Sequence, residues 1–191
     1  MLKPIKRGTF LRCVLLREEK EETMKKVYFL SFAVLAALIF TSCIKKDQGC
    51  MYNELNVKAP EAEIQRVEQY LADKGITSAV KDSSGVYYLV ESVGSGLTPE
   101  PCSLVSVHYT GKLTNDQVFD KSDGTPVTFR LGDLIAGWQK GLKHIKAGGK
   151  IKLYIPPSLG YGSSGAKDIN GNVVVPPDAV IIFSLELTGV Q

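Results

Sequence analysis

The chain has 191 residues, 44% of them hydrophobic, which is room for one medium-sized domain with an appendage and hardly for two full domains. Its formal charge of +3 sits at one end: residues 1–42 hold eight Lys/Arg against four Glu, and the rest carries 15 basic and 16 acidic residues. A remainder so close to neutral gives no compositional case for nucleic-acid binding.

In chain order, Met24-Lys25-Lys26 leads into an apolar run from Val27 to Phe40 and then Thr41-Ser42-Cys43. A basic start, a short apolar stretch and small residues before a break predict a secretory signal over 24–42. The run falls short of the roughly 20 apolar residues a membrane span needs. Phe40-Thr41-Ser42-Cys43 is similar to a bacterial lipobox, with Phe where Leu is usual. It makes Cys43 the expected lipidated N-terminus, with ordinary secretion or an uncleaved anchor as alternatives. A signal lies close to its initiator, so Met24 is the expected start and residues 1–23 a mis-assigned extension; a cytoplasmic extension is the alternative. Ile44, not aspartate, follows Cys43, which points to the outer membrane facing the periplasm. An oxidising compartment permits a disulfide between Cys50 and Cys102 and equally leaves both free.

Residues 43–59 are largely polar and are expected to form a lipid-anchored tether. Pro60 opens a helical segment within 60–81, with Glu61 and Glu63 at the positive end of its dipole. Ile64, Val67 and Leu71 share one face, and Lys74-Gly75 makes a stop. So short a helix must dock its stripe, either on the main domain or on a second copy; a monomer is the expectation. From Val86 onward the period becomes two. Val105, Val107 and Tyr109 share a face, Ile151, Leu153 and Ile155 alternate with Lys150, Lys152 and Tyr154, and Ile181, Phe183, Leu185 and Leu187 alternate with Ile182, Ser184, Glu186 and Thr188. Each set predicts a half-buried antiparallel strand. One helix interrupts them, Leu134 to Leu142. The predicted class is α+β, a curved antiparallel sheet packed over one short helix, with the N-terminal helix as an appendage.

Several chemistries drop out. His108 and His144 lack a Cys or carboxylate cluster at metal spacing, and His108 falls on the face opposite Tyr109. Gly148-Gly149-Lys150 is followed by Ile151 where a phosphate loop needs Ser or Thr. Gly162-Ser163-Ser164-Gly165 meets Ala166 where a nucleophile elbow needs glycine. No cofactor, metal, hydrolysis or hydride transfer is expected.

The run from Leu104 to Asp120, read with Leu134-Ile135-Ala136-Gly137-Trp138 and Gly160-Tyr161-Gly162, resembles the FKBP-type peptidyl-prolyl cis-trans isomerases over about residues 82–191. The resemblance implies an aromatic pocket for a prolyl side chain. Trp138 would be its floor, Tyr109, Phe119 and Phe183 its walls, and Val127, Leu134 and Ile135 its rim. It further implies that the Ile135 N–H and the Tyr161 hydroxyl bond substrate carbonyls, and that Asp120 holds Tyr109. Phe129 is expected to fill core. Such a site suits amide rotation, whose barrier of about 18–20 kcal/mol comes from resonance. Binding the twisted amide better than either planar form lowers that barrier without acid, base or nucleophile. Implied partners are proline-containing polypeptides and the family's macrolide inhibitors; a non-catalytic holdase on the same scaffold is the alternative. Four departures from the family pattern concern the border: Val127 at a position often aromatic, Lys121 where Ser is frequent, a short stretch from Asp120 to Pro126, and a long loop from Gly162 to Val175.

Overall fold

The alternation after Val86 becomes one antiparallel sheet in the computed structural model, which describes residues 51–52 and 55–191. Segments 1–23 and 24–42, with Cys43 and Cys50, lie outside the described residues. The strands are β1 (Val80–Lys81), β2 (Tyr87–Ser92), β3 (Leu104–Leu113), β4 (Val118–Lys121), β5 (Val127–Arg130), β6 (Gly149–Ile155), β7 (Ala166–Lys167), β8 (Val173–Val175) and β9 (Ile181–Val190). The sheet runs β1-β2-β6-β9-β3, and β4 and β5 share the far edge of β3. β5 takes Leu104–Val107 and β4 takes Thr110–Lys112, while β9 follows the other edge of β3 throughout. Register shifts at Ser106/Val107 and Gly111/Lys112 add local twist on both sides of that strand. β7 and β8 form a separate two-stranded hairpin.

The inner face carries the core. Val105, Val107, Ile151, Leu153, Ile155, Phe183, Leu185 and Leu187 are buried, the alternate positions that the spacing predicts. Helix α2 (Ala136–Leu142) lies against β6 at unusually close range. A Cβ on Gly137 would stand 2.5 Å from Ile155, and one on Gly141 would stand 2.4 Å from Leu153. Only glycine at these two positions, one turn apart, lets the helix settle directly on the strand. That depth buries Trp138 and Leu142. The helix is shorter than the expected Leu134–Leu142. Leu134 and Ile135 stay extended, at ψ 165° and 147°, because the Gln139 amide donates to the Gly132 and Leu134 carbonyls at 3.2 and 2.8 Å and holds them out of the helical register.

Helix α1 (Glu61–Asp73) has acidic residues in its first turn and buries Ile64, Val67 and Leu71. Gly75, at φ +65°, ends it, and the Ile76 N–H returns to the Leu71 carbonyl at 2.8 Å. Ile64 joins the main core beside Ala59 and Val86. Val67 and Leu71 cover Tyr154, Val180 and Ile182, so the stripe docks on this chain's own sheet. The half-buried reading of β6 and β9 needs correcting here. Tyr154 and Ile182, assigned to the outer face, are only 1% and 6% exposed because α1 lies over them. The tether reading also changes at two described points: Tyr52 donates a hydrogen bond to the Asp133 carboxylate, and Ala59 is buried with its N–H on the Ser84 carbonyl at 2.8 Å. Cys102 is disulfide-bonded, and the sequence's other cysteines all lie outside the described residues. Among the described residues no helix is long and apolar enough to cross a membrane.

Leu71→Ala should remove apolar contact between α1 and the sheet and leave part of the gap unfilled, at a cost of about 2 kcal/mol. Urea unfolding is expected to show one transition with a lowered midpoint. Two separate transitions in the wild-type chain would mean that α1 is not part of the domain's cooperative unit.

Candidate functional site

Period two along β3 and β9 and the depth of α2 place three aromatic residues together. Trp138 and Phe183 meet edge to face, centroids 5.1 Å apart at 85°. Tyr109 approaches Trp138 at 5.5 Å and 74°. Phe119, from β4, stands at 5.5 Å and 86° on Phe183 and at 6.1 Å and 89° on Tyr161. Edge-to-face geometry sets the positive edge of one ring against the negative face of the next, worth about 0.5–1.5 kcal/mol per pair beyond area burial. Gly111 makes room for two of these rings, since a Cβ there would lie 2.7 Å from both Phe119 and Phe183.

The cluster is graded in exposure. Trp138 and Phe183 are 4% and 2% exposed, while Tyr109, Phe119, Tyr161, Val127, Leu134 and Ile135 are half-buried around them. Two buried rings are thus bordered by half-exposed side chains. The Trp138 indole N–H is buried without an acceptor among the described residues, so the ring contributes apolar area and no polar handle. Phe129, expected to fill core, packs half-buried against it and meets Trp138 at 6.2 Å and Tyr109 at 6.1 Å. It therefore belongs to the same ring network. Val127 pairs with Val107 across β3 and β5, at the side of the cluster from which Phe129 comes. Leu134 and Ile135 pack on the core from the segment that enters α2.

The polar groups are few. Tyr109 donates its hydroxyl to Asp120 Oδ2 at 3.1 Å. Burial first, and then the Asp120 charge and hydrogen bond, push the Tyr109 phenol up to about 12. Burial, followed by the Asp120 charge, also raises Tyr161, whose hydroxyl bonds to no described group. The Ile135 carbonyl accepts the Trp138 and Gln139 amides, and its own N–H donates to no described group. Tyr161 and Ile135 thus each keep an available donor, a phenol and a backbone amide.

Two supporting residues escaped the sequence reading. Ser122 bonds both backbone groups of Tyr109, accepting its N–H at 3.0 Å and donating to its carbonyl at 3.4 Å. It does so one place beyond Lys121, where serine was sought. Gln139 fixes the backbone on which Leu134 and Ile135 sit; its signal was a polar residue beside Trp138 that the helical pattern buries. Cys43 and Cys50 lie outside the described residues. His108 lies opposite Glu186 on the sheet, in a shallow depression with Glu91 and Lys150. His144 stacks on Tyr88 at 3.9 Å, away from the ring network. The long border loop is largely ordered by the β7–β8 hairpin, whose turn is held by Asp168 accepting from Asn170 and Asn172. Its tip, Ile169, is fully exposed.

A model of the FKBP-type peptidyl-prolyl cis-trans isomerase family matches residues 96–188. The chain is 46% identical over 112 residues, 58% of its length, to the FKBP-type peptidyl-prolyl cis-trans isomerase FkpA of Buchnera aphidicola from Acyrthosiphon pisum, and covers 44% of that relative. It spans about half the length of the curated relatives it matches, or less. Among solved structures, a peptidyl-prolyl cis-trans isomerase from Pseudomonas syringae is similar at TM-score 0.58 and 30% identity, with 71% of this chain and 98% of that one covered. AtFKBP13 is similar at TM-score 0.53 and 37% identity, with 59% and 98% covered.

The phenol of Tyr109 should titrate about two units above an ordinary tyrosine, whose value is about 10. The folded state holds this proton more tightly than the unfolded chain. Its contribution to stability is therefore intact below about pH 10 and is lost as pH rises through about 12. Asp120→Asn should lower the Tyr109 value without bringing it to 10, because burial remains. Ultraviolet titration of tyrosinate in wild type, Tyr109→Phe and Asp120→Asn checks this. An unchanged highest step in Tyr109→Phe would refute it.

Proposed function

Because the chain belongs to the FKBP-type peptidyl-prolyl cis-trans isomerase family, we propose that it accelerates rotation about X-Pro bonds in polypeptides by binding the twisted amide over Trp138. The observation that carries this reading is the graded ring cluster, with its buried Trp138–Phe183 floor and half-exposed walls. The prolyl ring would lie on the indole between Tyr109, Phe119 and Phe183. The Tyr161 hydroxyl and the Ile135 N–H would hold the carbonyls on either side of the rotating bond. Asp120 would act through Tyr109 by fixing its hydroxyl.

The chemistry asks for no proton transfer. As the amide twists, nitrogen regains its lone pair and the carbonyl oxygen loses charge, so apolar surroundings destabilise the planar form relative to the twisted one. A thousandfold acceleration needs only about 4 kcal/mol, within reach of an apolar pocket and two fixed hydrogen bonds. The family's macrolide inhibitors would occupy the same floor. A non-catalytic holdase is the competing reading, favoured only if the folded protein turns over no proline peptide.

The proposed division keeps 24–42 as signal peptide, Cys43 as lipid attachment, 43–59 as tether, 60–81 as the segment containing α1, and 82–191 as the isomerase domain. Burial of the α1 stripe on this chain's own sheet supports a monomer. Attachment to the outer membrane and exported clients complete the proposal, with Cys50 as the partner of Cys102.

In a protease-free cis-trans assay the wild type should turn over peptides with an apolar residue before proline. Tyr161→Phe deletes one hydroxyl and keeps the ring. It should cost about 0.5–1.5 kcal/mol, or roughly two- to tenfold in rate. Val127→Phe should tighten binding of proline peptides and macrolides by adding a ring at the rim. Unchanged kinetics in both variants would mean that the pocket lies elsewhere.

Anchoring is tested separately. Cys43→Ala should abolish incorporation of labelled lipid and release the protein from membranes, as mass spectrometry of the mature N-terminus can confirm. Undiminished labelling in that variant would overturn the lipobox reading.

A further inference from the structure

Helix α1 and the residue that caps its C-terminus, Lys74, make three polar contacts with segments that deliver pocket rings. The Glu63 carboxylate accepts the Ser158 N–H at 2.8 Å, three positions before Tyr161. Arg66 donates to the Asp178 carbonyl at 2.9 Å, and the Asp178 N–H returns to the Gly162 carbonyl at 2.9 Å. Positions i and i+3 of a helix share a face, so one turn of α1 holds both ends of the segment that carries Tyr161 and the β7–β8 hairpin. Farther along, Lys74 pairs with Asp116 at 2.9 Å, in the turn from β3 into the strand of Phe119 and Asp120. Val67 and Leu71, buried on Tyr154, Val180 and Ile182, fix the helix between these contacts.

A second observation concerns the backbone. Among the described residues, Asp116 and Asp178 are the non-glycine residues with positive φ, at +67° and +54°. Aspartate tolerates that left-handed region better than most residues, yet such positions persist where surroundings hold them. Asp116 is bonded through its carboxylate to Lys74, the residue that caps α1, and Asp178 through its carbonyl to Arg66 of α1. The two held segments then meet in the site itself, where the Phe119 and Tyr161 rings cross at 6.1 Å and 89°.

We propose that α1 is a positioning strap for the pocket: Glu63 and Arg66 hold the two ends of the 158–178 segment, and Lys74 holds the β3–β4 turn. Together they keep Tyr161 and Phe119 at the spacing that a prolyl ring requires. The proposal rests on the isomerase reading above. Each polar contact is exposed and worth little alone. Their effect comes from acting on two walls from one rigid element, and Glu63, Arg66 and Lys74 touch no substrate.

The test uses the full chain. Glu63→Ala/Arg66→Ala should lower kcat/KM on a proline peptide about fivefold, because Tyr161 is no longer held at a fixed place against Phe119. Its melting temperature should stay close to that of the wild type. Glu63→Gln/Arg66→Lys keeps an acceptor and a donor at the same places and should restore most of the rate. In amide NMR spectra, the alanine pair should move resonances of residues 159–165 and leave Trp138 in place. A rate unchanged in the alanine pair overturns the strap and leaves the isomerase reading intact. A loss that the conservative pair fails to restore, or one that follows a fall in melting temperature with Trp138 also shifted, overturns it in favour of a merely structural helix. A wild type without turnover on any proline peptide overturns both readings together.

Discussion

Everything in this molecule depends on how closely one short helix can approach one strand. Gly137 and Gly141 bring α2 onto Ile155 and Leu153 at a range that any side chain would prevent. Protein interiors are close-packed, so a displacement of one methyl group is felt throughout. Lifting α2 by that amount would separate Trp138 from the three rings it meets, Phe183, Tyr109 and Phe129. The sheet contributes the complementary half. β9 is paired on both sides, with β6 and β3, so Phe183 has no freedom to follow the helix.

The site is accordingly a property of two rigid surfaces, and its walls are a property of connections. Tyr161 comes from a turn between β6 and the β7–β8 hairpin, and Phe119 from a four-residue strand on the sheet edge. Such segments open more readily than central strands. Local contacts tie them down: Ser122 bonds the Tyr109 backbone, Asp168 closes the hairpin turn, and α1, on the strap proposal, holds both sides. Gln139 does the same for the segment that presents Ile135. A pocket that distinguishes a twisted amide from a planar one gains little from apolar area alone. It must also hold its donors in place, since reorganisation during the reaction would consume the difference in binding.

Alternation made much of this legible. Ile151, Leu153 and Ile155, like Phe183, Leu185 and Leu187, announce their face because period two is a property of extended backbone alone. The α1 stripe was equally readable from Ile64, Val67 and Leu71. Where those residues dock was not, since periodicity reports a face and says nothing of what covers it. Tyr154 and Ile182 were therefore assigned to an outer surface that α1 occupies. The ring set depended on resemblance, because aromatics at strand spacing look alike whether they fill a core or line a pocket. Ser122 and Gln139 bond backbone atoms; Gln139 showed only as a polar residue that the helical pattern buries, and Ser122 left no spacing signature at all.

Among the residues of the proposed pocket, Asp120 alone carries a formal charge, and its carboxylate already accepts the Tyr109 hydroxyl. Attraction at long range needs a surplus of one sign near the mouth of a site, and salt weakens it over about 10 Å. The lining itself therefore contributes little to attraction from a distance. On the proposed reading, encounter is left to plain diffusion and selection to contact over a few ångströms. An enzyme so arranged would be nearly indifferent to ionic strength and to the net charge of its clients. It would meet acidic and basic chains on equal terms, which is the behaviour of a generalist.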